Sequence, residues 1–142
     1  AQRLRAELAA LRTRYARATP LRVSYQVWDA PLYTLGGTQV ATEMLAVCGA
    51  RNVFAAQRHS AFAVDAEAVY AAAPEVVVLA GSAAETAAWR ARWAQRPPLR
   101  AAFVTLDPDL ANRMGPRIVA GTAVLCGKLE AVRAAATHTE PR

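Results

Sequence analysis

Over the first eighteen positions the large apolar residues are Leu4, Leu8, Leu11 and Tyr15, stepping by four, three and four. That spacing predicts a helix with one narrow apolar seam, its other faces carrying Arg, Gln and Glu. Thr19-Pro20 ends it, because a proline disfavours helical angles in the residue before it. Val23, Tyr25 and Val27 then alternate with polar neighbours, which predicts a strand over residues 22–27. Pro31 cannot donate to a ladder, and Gly36-Gly37 allow backbone angles that other residues resist, so residues 28–37 read as a loop. Thr38 is a candidate N-cap. Val40, Met44, Val47 and Cys48 fall on one face of the helix it would open, and Gly49 stops that helix.

Residues 51–54 read as a short extended piece, and residues 55–63 as a loop with no clear period. Asp65 caps a short helix, Val64 and Val69 form its hydrophobic staple, and Glu67 lies in the first turn, where the helix dipole favours a negative charge. Pro74 closes it. Val76 to Ala80 is continuously apolar, as expected of a strand covered on both faces. Ser82-Ala83-Ala84-Glu85 is a capping box opening a helix to Gln95, with Trp89 and Trp93 on one face. Pro97-Pro98 leads to a third strand over residues 101–106, and Asp107-Pro108-Asp109 forms a turn beyond its end. Pro116 suits the first position of a last helix, which carries Ile118, Val119, Leu125, Cys126, Leu129 and Val132. Residues 137–142 read as a frayed tail. A helix followed by strand–helix repeats is an α/β arrangement: an open, mainly parallel sheet flanked by helices, with right-handed crossovers.

The 142 residues, 54% of them hydrophobic, suffice for one domain with a core. No apolar run approaches the ~20 residues of a membrane-spanning helix. The opening residues carry charge and show no signal-peptide pattern. The net charge of +6 is almost wholly arginine. Those arginines are scattered rather than clustered with aromatics, which argues against a nucleic-acid surface. Cys48 and Cys126 are either two buried thiols or one disulfide, and their spacing does not choose between the two. Dinucleotide, P-loop, zincin and nucleophile-elbow motifs are all missing. His59 in a loop and His138 in the tail read as solvated, and no metal-ligand set stands out. Gly36-Gly37-Thr38 could hold an anion at a helix N-terminus, though a tight turn is the simpler reading. Asp107 reads as a turn former. What remains is a face at the strand ends built from Trp28, Tyr33, Phe62, Asp109 and Arg113. Aromatics with a few polar groups suit the capture of a small molecule better than a reaction. The competing reading is an α/β enzyme domain with unrecognised catalytic residues.

Several stretches resemble a known family. Val23-Ser24-Tyr25-Gln26 through Pro31, Tyr33 and Gly36 is one, followed by Leu45 through Cys48-Gly49-Ala50-Arg51-Asn52-Val53-Phe54. Val64-Asp65-Ala66-Glu67-Ala68-Val69 with Pro74-Glu75-Val76-Val77-Val78 is another, and Asp107-Pro108-Asp109 with Asn112-Arg113, Pro116-Arg117-Ile118 and Leu125-Cys126 a third. Over residues 1–133 these are similar to the second lobe of the periplasmic vitamin B12-binding proteins of ABC importers, whose wider superfamily also carries haem and ferric siderophores. The resemblance implies two α/β lobes joined by a long rigid helix, with the ligand held between them and then passed to a permease. On that basis residues 1–19 end the linking helix and residues 20–136 form the C-terminal, Rossmann-like ligand-binding lobe. The first lobe then lies outside this chain. By position, Tyr33 would pack on the corrinoid, Asp109 and Arg113 would meet its edge, Glu67 would dock into an arginine-lined permease pocket, and Cys48 and Cys126 would be bonded. No cofactor or metal is implied beyond the ligand. One departure is Ala61, where a similar member of the family carries a tryptophan; Phe62 is the candidate replacement.

Overall fold

A computed structural model of the chain describes residues 2–37, 40–109 and 117–139. The first helix, α1 (Gln2–Tyr15), stops three residues short of the expected end. Its seam is as predicted: Leu4, Leu8, Leu11 and Tyr15 are half-buried and its other described positions are exposed. Leu11 and Tyr15 reach the main core. Strand β1 (Leu21–Asp29) runs past the predicted strand and into the predicted loop. After the Ala30–Pro31 turn, whose peptide bond is cis, β2 (Leu32–Leu35) pairs back against β1. Pro31 thus lies in the turn and removes no ladder donor, so the loop reading of residues 28–37 is corrected to a hairpin.

Helix α2 (Val40–Val47) follows. Gly49 adopts a φ of 72°, the left-handed conformation that glycine tolerates best. Next come β3 (Ala50–Asn52) and β4 (Ala61–Ala63). The latter lies where no period was visible, a second correction. In α3 (Ala66–Ala72) the Asp65 side chain accepts from the Ala68 N–H at 2.9 Å. In α4 (Ala83–Gln95) both halves of the Ser82–Glu85 capping box are made. Between them lies β5 (Val76–Ala80), buried at every residue. The described chain closes with β6 (Ala102–Leu106) and α5 (Arg117–Thr139). Helical structure therefore runs into the segment expected to fray. The candidate caps Thr38 and Pro116 lie outside the described residues.

The sheet is mixed and mostly parallel, ordered β4-β2-β1-β5-β6, with β3 on the start of β1. β3, β5 and β6 run parallel to their neighbours, while the β1–β2 and β2–β4 pairs are antiparallel. One face carries Val23, Tyr25, Val76 and Val78 against Met44 and Leu45 of α2 and Leu125 and Leu129 of α5. The other carries Val77 and Leu79 against Trp89, with Leu32, Val69 and Trp93 beside them. The Tyr25 hydroxyl is buried without a partner among the described residues, and burial raises its pKa.

On the first face a Cys48–Cys126 disulfide ties the end of α2 to α5 across 78 positions, with both residues nearly inaccessible. Unfolded, unreduced protein should therefore titrate no free thiol. Replacing both cysteines by serine should lower unfolding stability by about 4–5 kcal/mol in the chain-entropy description, readable by denaturant melts.

Candidate functional site

Strands β1, β5 and β6 run parallel, so their C-terminal ends share one edge, where open α/β sheets bind ligands. Trp28 lies at that end of β1. It is 49% exposed and sits edge-on to Trp89, with centroids 6.2 Å apart. Tyr33, 37% exposed, is its partner across the hairpin. The structure thus brings these two together. A bulge between Gln26 and Trp28 shifts the register at this point and changes which side chains oppose each other.

Phe62 is not part of that pair. Its register partner is Thr34, whereas Tyr33 opposes Ala63. Successive residues of a strand point to opposite faces, so the Phe62 and Tyr33 rings project apart. Phe62 packs edge-on against Phe54 at 5.9 Å. Ala61 is exposed. Asp109 is exposed beyond β6, its N–H donating to Asp107 Oδ1 at 2.9 Å, a local turn that bears out the reading of Asp107. Arg113 lies outside the described residues. Glu67 is exposed in the first turn of α3.

The Gly36 and Gly37 N–H groups donate to Ser60 O and Gln57 O, each at 3.0 Å, which leaves neither for an anion. Asn52 braces the same corner. Its Nδ2 donates to Leu35 O at 2.8 Å and its Oδ1 accepts from the Phe54 N–H at 2.9 Å. Thr42 Oγ1 in turn donates to Gly36 O at 2.8 Å.

A polar chain at the hairpin tip was not foreseen. Trp93 Nε1 donates to Gln26 Oε1 at 2.8 Å, and Gln26 Nε2 donates to Asp29 Oδ1 at 3.3 Å. Asp29, 7% exposed at its side chain, forms ion pairs with Arg92 Nε at 2.5 Å and Arg96 Nη2 at 3.7 Å. The signal available in sequence was Arg92 and Arg96, four apart on the helix that carries Trp89 and Trp93, with a carboxylate directly after Trp28.

A groove of about 1190 Å³ opens at the opposite edge of the sheet, lined in part by Arg17, Arg22, Arg100, Lys128 and Arg133 with Glu75 and Glu130. Its cations are largely engaged. Arg22 Nε donates to Ala73 O at 3.0 Å, Arg133 Nη2 to Gly49 O at 2.6 Å, Lys128 to Thr105 O, and Arg17 pairs with Glu130. Burial, and then the nearby Arg17 charge, lower the Arg133 pKa. No cluster able to hold a metal ion occurs among the described residues, and none of their helices is long and apolar enough to cross a membrane.

No family profile matches the chain. The vitamin B12-binding protein of Photorhabdus laumondii is 35% identical over 129 residues, covering 91% of this chain and 46% of that protein. Its Yersinia pestis counterpart is 32% identical over 132 residues, 93% and 46% of the two chains. Among solved structures, the periplasmic vitamin B12 binding protein BtuF of Vibrio cholerae superposes with a TM-score of 0.75 at 30% identity, over 91% of this chain and 51% of that one. The periplasmic haem-binding protein BhuT, in complex with two haems, gives 0.76 at 24% identity, over 92% and 54%, and so shows the fold alone. The chain spans about half the length of the relatives it matches.

A Cβ built on Gly36 would lie 2.0 Å from His59 O and 2.6 Å from Gln57 O, whereas one on Gly127 meets nothing within 4 Å. Gly36→Ala should therefore cost roughly 1–3 kcal/mol by displacing backbone against the hairpin. Gly127→Ala, on an exposed turn of α5, should stabilise by roughly 0.5–1 kcal/mol. Thermal and urea melts of the two variants check the contrast. With the site and its relatives laid side by side, the chain is a homologue of the vitamin B12-binding proteins, and its fold is that of one lobe of the periplasmic substrate-binding proteins.

Proposed function

We propose that this chain is the C-terminal lobe of a periplasmic substrate-binding protein, not an enzyme, that holds cobalamin between two lobes and delivers it to the permease of an ABC importer. The reading rests on sequence identity to vitamin B12-binding proteins along 91% of the chain. The exposed Trp28–Tyr33 pair at the ligand-binding edge of the sheet supports it. A corrin ring is broad and apolar over its face, with amides at its rim. Trp28 and Tyr33 offer rings for the face. Asp109 offers an acceptor and Arg113 donors for the rim. Phe62 contributes from the neighbouring strand, on the far side of the hairpin, as a support for its outer edge. Glu67 presents a carboxylate to a permease arginine, a charge-assisted pair. Haem and ferric siderophores are the alternative ligands within this reading.

One lobe supplies only part of the contact area, while the entropy of association must still be overcome. Calorimetry should accordingly find cobalamin binding weak or undetectable with this chain alone, and tight when an N-terminal lobe precedes it. In that two-lobed protein Tyr33→Ala should weaken binding by about 1–3 kcal/mol, the scale of a large aromatic contact. Binding of haem or a siderophore in place of cobalamin would retain the transport role and change the ligand. Indifference of every bound ligand to Tyr33→Ala would remove the aromatic pair from the site.

Glu67→Ala should weaken association with the importer or transport through it, leaving ligand affinity unchanged. Loss of ligand binding in that variant would move Glu67 into the cleft.

A further inference from the structure

We infer that Asp29 is a positioning residue for the Trp28–Tyr33 hairpin: together with Arg92 and Gln26 it clamps the hairpin tip onto α4. The inference rests on the ligand site proposed above only for its effect on affinity.

The β1–β2 hairpin lies toward the outer side of the sheet, backed by the three-residue strand β4. What holds its tip is the side facing α3 and α4. There Leu32 is buried with Val69 and Trp93, and Asp29 lies among two guanidinium groups and an amide. The polarity of the chain is dictated by chemistry. An indole N–H can only donate and an ionised carboxylate can only accept, so the Gln26 amide between them has one productive orientation. Arg96 adds its guanidinium over the Trp93 ring, 4.3 Å from the centroid. Three side chains, Gln26 of β1, Arg92 of α4 and Arg96 at its C-cap, thereby converge on a carboxylate adjoining Trp28, whose own ring abuts Trp89 of the same helix. A nearly buried carboxylate with two guanidinium ion pairs and an amide donor holds its backbone more rigidly than an exposed ion pair does.

The clamp predicts local loosening when it is cut. Asp29→Asn keeps the shape and removes the charge. Arg92→Ala, at a side chain 57% exposed, severs the same link without opening the core. In this chain, amides of Leu32–Leu35 should exchange with deuterium about tenfold faster or more in either variant, as expected for a sub-global opening. Amides of Val76–Ala80 should keep their rates. Unchanged exchange in the hairpin, or an equal rise in both strands, would overturn the inference.

In the two-lobed protein, Asp29→Asn should weaken cobalamin binding by about tenfold, and Tyr33→Ala should cost less in that background than in the parent, the signature of coupled positions. Additive losses, or an unaltered affinity, would reduce the clamp to a structural tie with no bearing on the ligand. Failure of the parent protein to bind cobalamin, haem or siderophore would sink the proposed function, and the exchange experiment would still decide whether the clamp exists.

Discussion

The whole arrangement depends on how β1 shares its edges. One edge belongs to β5 throughout residues Val23 to Gln26. The other changes owner partway, parallel β3 holding Leu21 to Val23 and antiparallel β2 holding Gln26 to Asp29. A strand cannot pass from a parallel to an antiparallel neighbour on one edge without a gap, and backbone groups in a gap need other partners. Here side chains supply them. Thr34 Oγ1 donates to Tyr25 O at 2.8 Å, and Asn52 closes the corner by binding Leu35 O. Because the gap is satisfied, the hairpin can leave the parallel sheet and carry its aromatics outward.

The parts legible in the sequence were those ruled by local chemistry. The seam of α1, the Asp65 cap, the Ser82 capping box and the apolar run of β5 each follow from a periodicity or a side chain reaching its own backbone. β2 and β4 depend on pairing instead. β2 resumes immediately after a turn whose proline looked like a breaker. The Ala61-Phe62-Ala63 strand has no alternation to read, because its outer positions face solvent and its register comes from the Gly36 and Gly37 contacts. Trp28 and Tyr33 were candidates because they fall at the C-terminal end of the first predicted strand, and both are exposed. Their juxtaposition across a bulge was not, and neither was the convergence on Asp29, which joins residues 67 positions apart.

Composition acquires a physical meaning at the opposite edge. In a sheet of this kind the helices end where the parallel strands begin, and helix ends present unpaired carbonyl oxygens carrying partial negative charge. Arg22 reaches the Ala73 carbonyl at the C-cap of α3, and Arg133 the Gly49 carbonyl just beyond α2, which also accepts from the Leu21 N–H. Two of the arginines behind the net charge of +6 are thus engaged within the fold at helix ends.

The Cys48–Cys126 bridge also divides the chain mechanically. Everything between the two cysteines, including strands β3 to β6 and helices α3 and α4, lies within one covalent ring, and the hairpin and α1 lie outside it. A force applied to the two ends would draw out only the 142 residues less the 78 steps enclosed, a contour length of roughly 220 Å instead of roughly 500 Å. The aromatic hairpin belongs to the extensible part, and the segment bearing Glu67 to the part that tension never reaches.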